Sequence, residues 1–295
     1  MHHLQSIPQL FATHPELLGE LIRLFPTEQK IAITVSGGSD SMLLSSAVLT
    51  FWTQKKWNPD QLFFIHCNHK VRPESDEEAR FVRSFFAGYQ LKISERTEDI
   101  KINEESLRER RYTQFLQLMQ EEHIAILLTG HNLTDRIEGT LLNMLRGCGI
   151  VGFIGMQAQE SHHLLEQRQV YRPLLSLTKM QIQSLCQAYD IPYVHDPSND
   201  DPTTSKRNLI RNTFLFPLAE QALQTGKRNT FFWSRSQIYA HLEELQTTQA
   251  FQFLKPIPLN PYRGLSHAYE WAVMPEWKNQ LRLSNLLTRL GIDYT

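Results

Sequence analysis

The sequence has few cysteines, no long apolar run and no excess of either charge. Its 295 residues include three cysteines, none of them in a C-x-x-C pair. Paired ligands for structural zinc or an iron–sulfur cluster, and paired redox thiols, are therefore lacking. An odd and sparse set of cysteines suits a reducing compartment, which predicts a cytoplasmic location.

A formal net charge of −1 argues against a uniformly basic nucleic-acid binder, so any such contact must come from local patches. No apolar stretch approaches the ~20 residues of a membrane-spanning helix. The N-terminus also lacks the charged-then-apolar pattern of a signal peptide. We therefore expect an ordinary globular chain with no membrane partner.

The turn Ser36-Gly37-Gly38-Ser39-Asp40-Ser41 lies between a predicted buried strand and a predicted helix. Backbone N–H groups and the helix dipole at such a junction favour an anion, and the two glycines allow a phosphate to approach closely. The serine hydroxyls add donors, and Asp40 could hold a Mg²⁺ ion that bridges phosphate oxygens. The alternative is a capped strand-to-helix turn. Neither a Walker A lysine nor a G-x-G-x-x-G spacing is present.

Apolar segments alternate with helical patterns through the first half of the chain. We predict strands at 30–35, 62–68, 91–95 and 124–129, each followed by a helix, after a helical lead-in over 1–29. This order predicts an α/β fold, a doubly wound and mostly parallel sheet with helices on both faces. Ligands of such sheets bind beyond the carboxyl ends of the strands.

The second half of the chain has a different sequence pattern from the first. Residues 157–169 are polar enough for a hairpin or a flexible excursion, 170–175 suit a last strand, and 177–189 suit a helix capped by Thr178. We predict a catalytic domain over 1–215 and a smaller, mainly helical domain over 216–295.

Two polar clusters follow the second and third strands. His66 ends the second strand together with Asn68 and His69, where it could contact a nucleotide or lie in a solvated loop. Arg108 and Arg111 are three residues apart on one helix, so they share a face. Two guanidinium groups suit phosphate or carboxylate, although a solvated basic face is the simpler interpretation.

Two further clusters follow the fourth strand and the long turn near residue 200. Asp135 and Glu138 project from one side of a helix start, with His131 just before them, and could bind an ammonium group or a cation. The alternative is complementation of the helix dipole by first-turn acids. Lys206, Arg207 and Arg211 form the best local basic patch, which suits an anion or an RNA backbone but also a plain cationic helix start.

Taken together, these motifs carry a family resemblance. The first turn matches the SGGxDS signature of the PP-loop ATP pyrophosphatases. The ordered set resembles the tRNA(Ile)-lysidine synthase family over residues 28–215. The further motifs that carry this resemblance are His66–Ser75, Arg108–Tyr112, Gly130–Glu138, Leu141–Gly147, Arg172–Leu174 and Asp196–Asn199 with Arg207–Arg211.

The resemblance implies a two-step reaction on tRNA(Ile) with a CAU anticodon. ATP, with Mg²⁺, adenylates the wobble cytidine, and the amine of L-lysine then displaces AMP. By the same resemblance, Ser36–Ser41 and His66 bind ATP, and Asp40 holds Mg²⁺. Asp135 and Glu138 bind lysine, and Lys206, Arg207 and Arg211 contact tRNA. The implied catalytic residues are Asp40, Arg108, Arg111, His131 and Arg207.

The chain departs from the family pattern in one place. Many members read His-His-x-Asp-Asp-Gln-x-Glu-Thr, whereas residues 131–139 keep only the positions of His131, Asp135 and Glu138. Two alternatives therefore stay open: another PP-loop tRNA-modifying enzyme, or a non-catalytic nucleotide- or RNA-binding protein with a decayed site. Tandem thiolase-type cysteines are absent. The sequence leaves the oligomeric state open, a homodimer included.

Overall fold

The computed structural model describes residues 7–25, 28–68, 75–95, 104–145, 154–195 and 206–216. The chain starts with two short helices, α1 (Pro8–Thr13) and α2 (Pro15–Leu24). Pro15 divides the predicted helical lead-in, since proline is favoured in the first turn of a helix and disfavoured inside one. Leu10, Leu17 and Leu21 of these helices are buried.

A six-stranded sheet forms the centre of the described part. Its strands are β1 (Ile31–Thr34), β2 (Leu62–Asn68), β3 (Gln90–Glu95), β4 (Ile126–Leu128), β5 (Gln159–His162) and β6 (Arg168–Tyr171). The strand order is β3-β2-β1-β4-β6-β5. All neighbours are parallel except β5 and β6, which form an antiparallel hairpin. The predicted α/β class and mostly parallel sheet are confirmed.

Helices pack on both faces of this sheet. The helices described after α2 are α3 (Ser39–Lys55), α4 (Ser75–Phe85), α5 (Glu104–Glu121), α6 (Leu133–Leu145), α7 (Lys179–Ala188) and α8 (Lys206–Ile210). Side chains alternate along each strand, so Ile31 and Ile33 pack into one buried cluster with α3 while Ala32 packs into another with α5. Burial on both faces explains why these strands read as continuous apolar runs.

The second half forms the hairpin expected for 157–169. The last strand is β6, which ends at Tyr171, earlier than the predicted 175, because Pro173 has no N–H to continue a ladder. The predicted cap is confirmed: Thr178 and Gln181 form a reciprocal capping box at the start of α7. The helix α4 stops at Phe85, three residues before Gly88, which has a positive φ of 93°.

The chain divides into two compact units, and the one that contains the sheet comprises Met1–Glu138 and Met156–Glu220. The predicted helical domain over 216–295 lies outside the described residues apart from Phe216. His69, Arg72, Arg146, Gly147 and the 196–199 motif also lie outside them. In the described ranges, none of the helices combines the length and apolar content that crossing a membrane requires.

Candidate active site

The candidate site lies where the sheet reverses its strand order. The strands β1 and β4 are neighbours, whereas β2 and β3 extend the sheet on one side and β6 and β5 on the other. The loops that follow β1 and β4 therefore meet at the carboxyl edge, which is the usual ligand position in open parallel sheets. Gly130 permits this meeting, because a Cβ there would lie 3.1 Å from the Asp40 carbonyl carbon and 3.1 Å from the Ser41 nitrogen.

The Ser36–Ser41 loop is fixed from several sides. Gly37 has a φ of 88°, which favours glycine. The Ser41 hydroxyl closes the loop by donating to the Gly38 carbonyl at 3.0 Å and accepting from the Ser36 N–H at 3.2 Å. The Val194 N–H donates to the Gly37 carbonyl at 2.8 Å. The loop is thus preorganised.

The N-terminus of α3 is open to an anion. Gly38 is its N-cap residue and contributes no side-chain hydrogen bond. The first intrahelical bond runs from the Met42 N–H to the Gly38 carbonyl, at 3.1 Å. The helix itself therefore offers no acceptor to its first-turn N–H groups, and an end of this kind favours negative charge.

Lys179 brings a cation to this loop. Its ammonium nitrogen lies 2.8 Å from Ser39 Oγ and 2.5 Å from Asp40 Oδ2. Burial raises the pKa of the Asp40 carboxyl above its ordinary value, an effect that Lys179 opposes and the nearby Asp135 reinforces. Sequence reasoning missed Lys179. The available signal was a lysine at the first position of a helix, where it opposes the dipole and needs a partner.

Asn132 links the phosphate loop to the start of α6. Its side-chain amide donates to Asp40 Oδ1 at 3.1 Å, and its Oδ1 accepts from the Asp135 N–H at 3.1 Å. Asp135 Oδ2 accepts in return from the Asn132 N–H at 3.0 Å, so the two residues form a capping box. Thr134 Oγ1 accepts from the Lys179 N–H at 3.0 Å. Two residues that depart from the family pattern, Asn132 and Thr134, therefore hold the site together.

Arg211 forms ion pairs with both members of the predicted carboxylate pair, Asp135 and Glu138. Arg211 Nε lies 2.5 Å from Glu138 Oε1, and Arg211 Nη2 lies 2.9 Å from Glu138 Oε2 and 3.3 Å from Asp135 Oδ1. Glu138 is fully buried. Burial raises the pKa of the Glu138 carboxyl to about 7, and repulsion from Asp135 adds to this although Arg211 opposes it. The structure thus brings Asp135, Glu138 and Arg211 together, and sequence reasoning had assigned Arg211 to RNA.

His131 lies among four positive charges. Burial lowers its pKa to about 3, and Arg172, Arg207, Arg111 and Arg108 lower it further in that order of effect. The imidazole is therefore neutral near pH 7. Its Nδ1 lies 2.7 Å from Thr129 Oγ1. The predicted cluster of His131 with Arg108, Arg111 and Arg207 is brought together, and Arg172 is an additional member.

These arginines differ in their surroundings. Arg108 and Arg111 are exposed on α5, and the Arg108 guanidinium lies 5.8 Å from the centre of the Tyr112 ring. Arg172 is buried, with Nη2 2.6 Å from Glu160 Oε1 and Nη1 2.7 Å from the Gln157 carbonyl. Arg207 is partly exposed on α8, and the side chain of Lys206 lies outside the described residues.

His66 ties the second strand to the start of the loop. It is buried, and its Nδ1 lies 2.8 Å from the Val35 carbonyl oxygen. Burial lowers the pKa of this imidazole, so the ring is neutral. Its Nε2 is buried and has no hydrogen-bond partner within the described residues. His66 therefore keeps one ring nitrogen without a hydrogen-bond partner in this part of the structure.

The side chains of this site suit a Mg²⁺ ion that is bound mainly by the phosphates of a substrate. The described ranges contain no group of three or more His, Cys, Asp or Glu residues that could enclose a metal ion. Mg²⁺ commonly uses one or two carboxylates, with phosphates and water as its other ligands. Asp40 fits that role, but its two oxygens already accept from Asn132 and Lys179, so a cation must share them.

Comparison with known proteins identifies the family to which the chain is similar. A family model described as a PP-loop domain matches residues 9–218. A tRNA(Ile)-lysidine synthase of Nostoc sp. is 30% identical over 269 residues, which cover 91% of this chain and 73% of the relative. Another, of Haemophilus influenzae, is 30% identical over 87% of this chain and 61% of the relative. A third, of Anaplasma marginale, is 35% identical over 61% of this chain and 39% of the relative.

The chain therefore spans less than two thirds of the length of two of these three relatives. Among solved structures, a U34-tRNA thiolase from Methanococcus maripaludis matches with a TM-score of 0.55 and 16% identity, covering 80% of each chain. At that identity the match supports the fold.

Proposed function

We infer that this chain, which belongs to the PP-loop family and within it to the tRNA(Ile)-lysidine synthases, is an ATP-dependent ligase acting on tRNA(Ile). It joins L-lysine to C2 of the wobble cytidine in a CAU anticodon. One observation carries this proposal beyond the family resemblance. The Ser36–Ser41 loop and the pair formed by Asp135 and the buried Glu138 are joined through Asp40, Asn132 and Asp135 at one edge of the sheet.

In the first step the cytosine O2 attacks the α-phosphorus of ATP. The bond between the α- and β-phosphates breaks and pyrophosphate leaves. The open N-terminus of α3 and the Ser36–Ser41 loop bind the phosphates. The loop has no lysine of its own, so Lys179 supplies the ammonium group that offsets charge on the departing pyrophosphate. His66 Nε2, which is buried and has no partner among the described residues, would become an acceptor for the nucleotide only if binding uncovers it.

This role of Lys179 gives a test. Lys179→Met keeps the length of the side chain but removes the charge, so we expect the KM for ATP to rise about tenfold or more, the worth of one charge-assisted hydrogen bond. Lys92→Met is the matched control, because Lys92 pairs with Glu122 at 2.5 Å on the surface. An unchanged KM for ATP in Lys179→Met would remove Lys179 from the phosphate site.

Mg²⁺ is part of the proposal. Asp40 would hold it together with phosphate oxygens, and when bound the ion would offset phosphate charge. The remaining positive charge would come from Arg108, Arg111 and Arg207, and from Arg172, whose charge also acts on His131. These side chains stabilise the charge that develops on the transferred adenylate. Because burial, together with these arginines, keeps His131 neutral, His131 acts by hydrogen bonding to the cytosine ring or the phosphate.

In the second step the amine of lysine attacks C2 of the adenylated cytidine. The bond between C2 and O2 breaks, AMP leaves, and the amine loses a proton. Asp135 and Glu138 hold an ammonium group of lysine and so orient the amine. The wobble base must leave the stack of the anticodon loop to reach this edge. Lys206 and Arg207 are positioned along the chain to contact the RNA backbone.

Product analysis tests the proposal against a non-catalytic nucleotide-binding protein. Purified protein, ATP, Mg²⁺ and tRNA(Ile) with a CAU anticodon should give AMP and pyrophosphate in amounts that depend on added L-lysine. A tRNA with a different wobble base is the control. Release of ADP and phosphate, or AMP release that ignores lysine, would contradict the assignment.

A further inference from the structure

The carboxylate pair assigned to lysine is already bound by a cation of the chain itself. Arg211 approaches Glu138 side-on, so that Nε and Nη2 each meet one carboxylate oxygen at 2.5 and 2.9 Å. Nη2 also reaches Asp135 Oδ1 at 3.3 Å. Two parallel bonds between a guanidinium and a carboxylate form one of the stronger ion-pair geometries in proteins.

We infer that Arg211 is a latch that occupies the amine site and must be displaced before the ammonium group of lysine can bind there. This inference rests on the proposed function and deepens it, because it makes Arg211 a residue that sets lysine affinity. The latch would act by competing with lysine for one site. A guanidinium and an ammonium group require the same carboxylate oxygens, and Glu138 is too deeply buried to serve both in the same geometry.

The surroundings of Arg211 allow it to leave. Its side chain is 15% exposed, whereas that of Glu138 is 0% exposed, so the arginine lies on the solvent side of Glu138. It also stands at the junction where α8 ends and a π-helical segment, Arg211–Leu215, begins. The Phe216 N–H reaches back five residues to the Arg211 carbonyl. Such segments are rare and occur frequently at functional sites.

One side of this helical element faces away from Asp135 and Glu138. Leu209, two residues earlier, is 49% exposed, an unusual position for a large apolar side chain in the described part. Arg207, four residues before Arg211, shares the face of the latch, and its charge acts on Glu138. An RNA that contacts Arg207 would therefore act on the element that carries the latch. Arg211 and the proposed RNA contact therefore lie on one short helical element.

Steady-state kinetics with Arg211→Ala test the latch. In alkaline buffer, where Glu138 stays ionised, we expect the KM for lysine to fall about tenfold or more relative to the wild type. Added guanidinium ion at low millimolar concentration should refill the vacated place and raise that KM again, while leaving the wild type unaffected. Arg168→Ala is the matched control, since Arg168 pairs with Glu166 at 3.0 Å on the hairpin.

An unchanged or higher KM for lysine in Arg211→Ala would overturn the latch, as would a lack of response to guanidinium. If Arg211→Ala does not fold, Arg211→Lys serves instead, because an ammonium group cannot make the two parallel bonds. A KM for lysine below that of the wild type supports the latch, and an equal or higher one contradicts it. Wild-type protein that fails to ligate lysine would instead refute the proposed function, so the two failures are distinguishable.

Discussion

Glu138 is fully buried, faces Arg211, and has Asp135 and the charge of Arg207 close by. Burial holds its pKa at about 7, above the ordinary range of a glutamate. The folded protein therefore binds a proton at Glu138 more tightly than the unfolded chain does. The resulting contribution to stability is present at low pH and is lost as the pH rises through about 7.

The same shift predicts how lysine binding depends on pH. Only the ionised form of Glu138 attracts an ammonium group, so the KM for lysine should rise about tenfold for each pH unit below about 7 and level off above it. Glu138→Gln cannot titrate and should lose this dependence while binding lysine weakly. Glu121→Gln, on the exposed surface of α5, should behave as the wild type. A KM that stays constant across this range would contradict the role of Glu138.

At the scale of single residues, the sequence identifies what local geometry determines. Asp135 and Glu138 are three residues apart on a helix, so their common side follows from helical spacing alone. Their partner Arg211 lies 73 residues beyond Glu138, and Lys179 lies 139 residues beyond Asp40. Only the folded chain brings these cations to the carboxylates. For this reason the sequence assigned Arg211 to RNA and missed Lys179.

At the scale of elements, two turns after neighbouring strands have to fit against each other. Gly130, after β4, faces the backbone of Asp40 and Ser41 at the start of α3. Asn132 then caps α6 and reaches Asp40, so the position of this turn sets the distance between the phosphate loop and the carboxylates. The glycine is required here for close approach and not for an unusual backbone angle.

Gly130→Ala should separate the two turns. The added methyl group would lie 3.1 Å from backbone atoms of Asp40 and Ser41, which must shift by a few tenths of an ångström. We expect a loss of about 1–3 kcal/mol in the free energy of unfolding, a typical cost of overpacking, and a raised KM for ATP. Gly19→Ala is the control, because a Cβ there meets nothing within 4 Å. Unfolding in urea and ATP kinetics measure both effects, and wild-type values for Gly130→Ala would contradict this packing.

The elements themselves were largely predictable because their signals are local. The strands β1 and β2 are β-branched or aromatic runs of the expected length, and the cap at Thr178 follows from its spacing to Gln181. The ends of the elements were harder to predict. The strand β4 covers only Ile126–Leu128 of the predicted 124–129, because Ile124 and Ala125 lie before the first residue that pairs with the neighbouring strands. The spacing of Asn132 and Asp135 is that of a capping box, so this signal is also local.

At the scale of the whole molecule, the order of strands decides where chemistry can occur. The reversal between β1 and β4 places the phosphate loop and the start of α6 side by side. The alternation of apolar strands and helices predicts this class of sheet, whereas the pairing of β1 with β4 depends on contacts between residues far apart in the chain. The site divides into a carboxylate side around Asp135 and Glu138 and an arginine side around His131.

The central claim is that both sides serve one reaction, the ligation of lysine to a cytidine of tRNA(Ile). The most direct measurement is mass spectrometry of nucleosides from tRNA(Ile) with a CAU anticodon, after incubation with the protein, ATP, Mg²⁺ and isotope-labelled L-lysine. We expect the wobble cytidine to carry the labelled lysine, and to stay unmodified when ATP is omitted or when Asp40→Ala replaces the wild type. An unmodified wobble cytidine, beside a related synthase that is active in the same assay, would contradict the assignment.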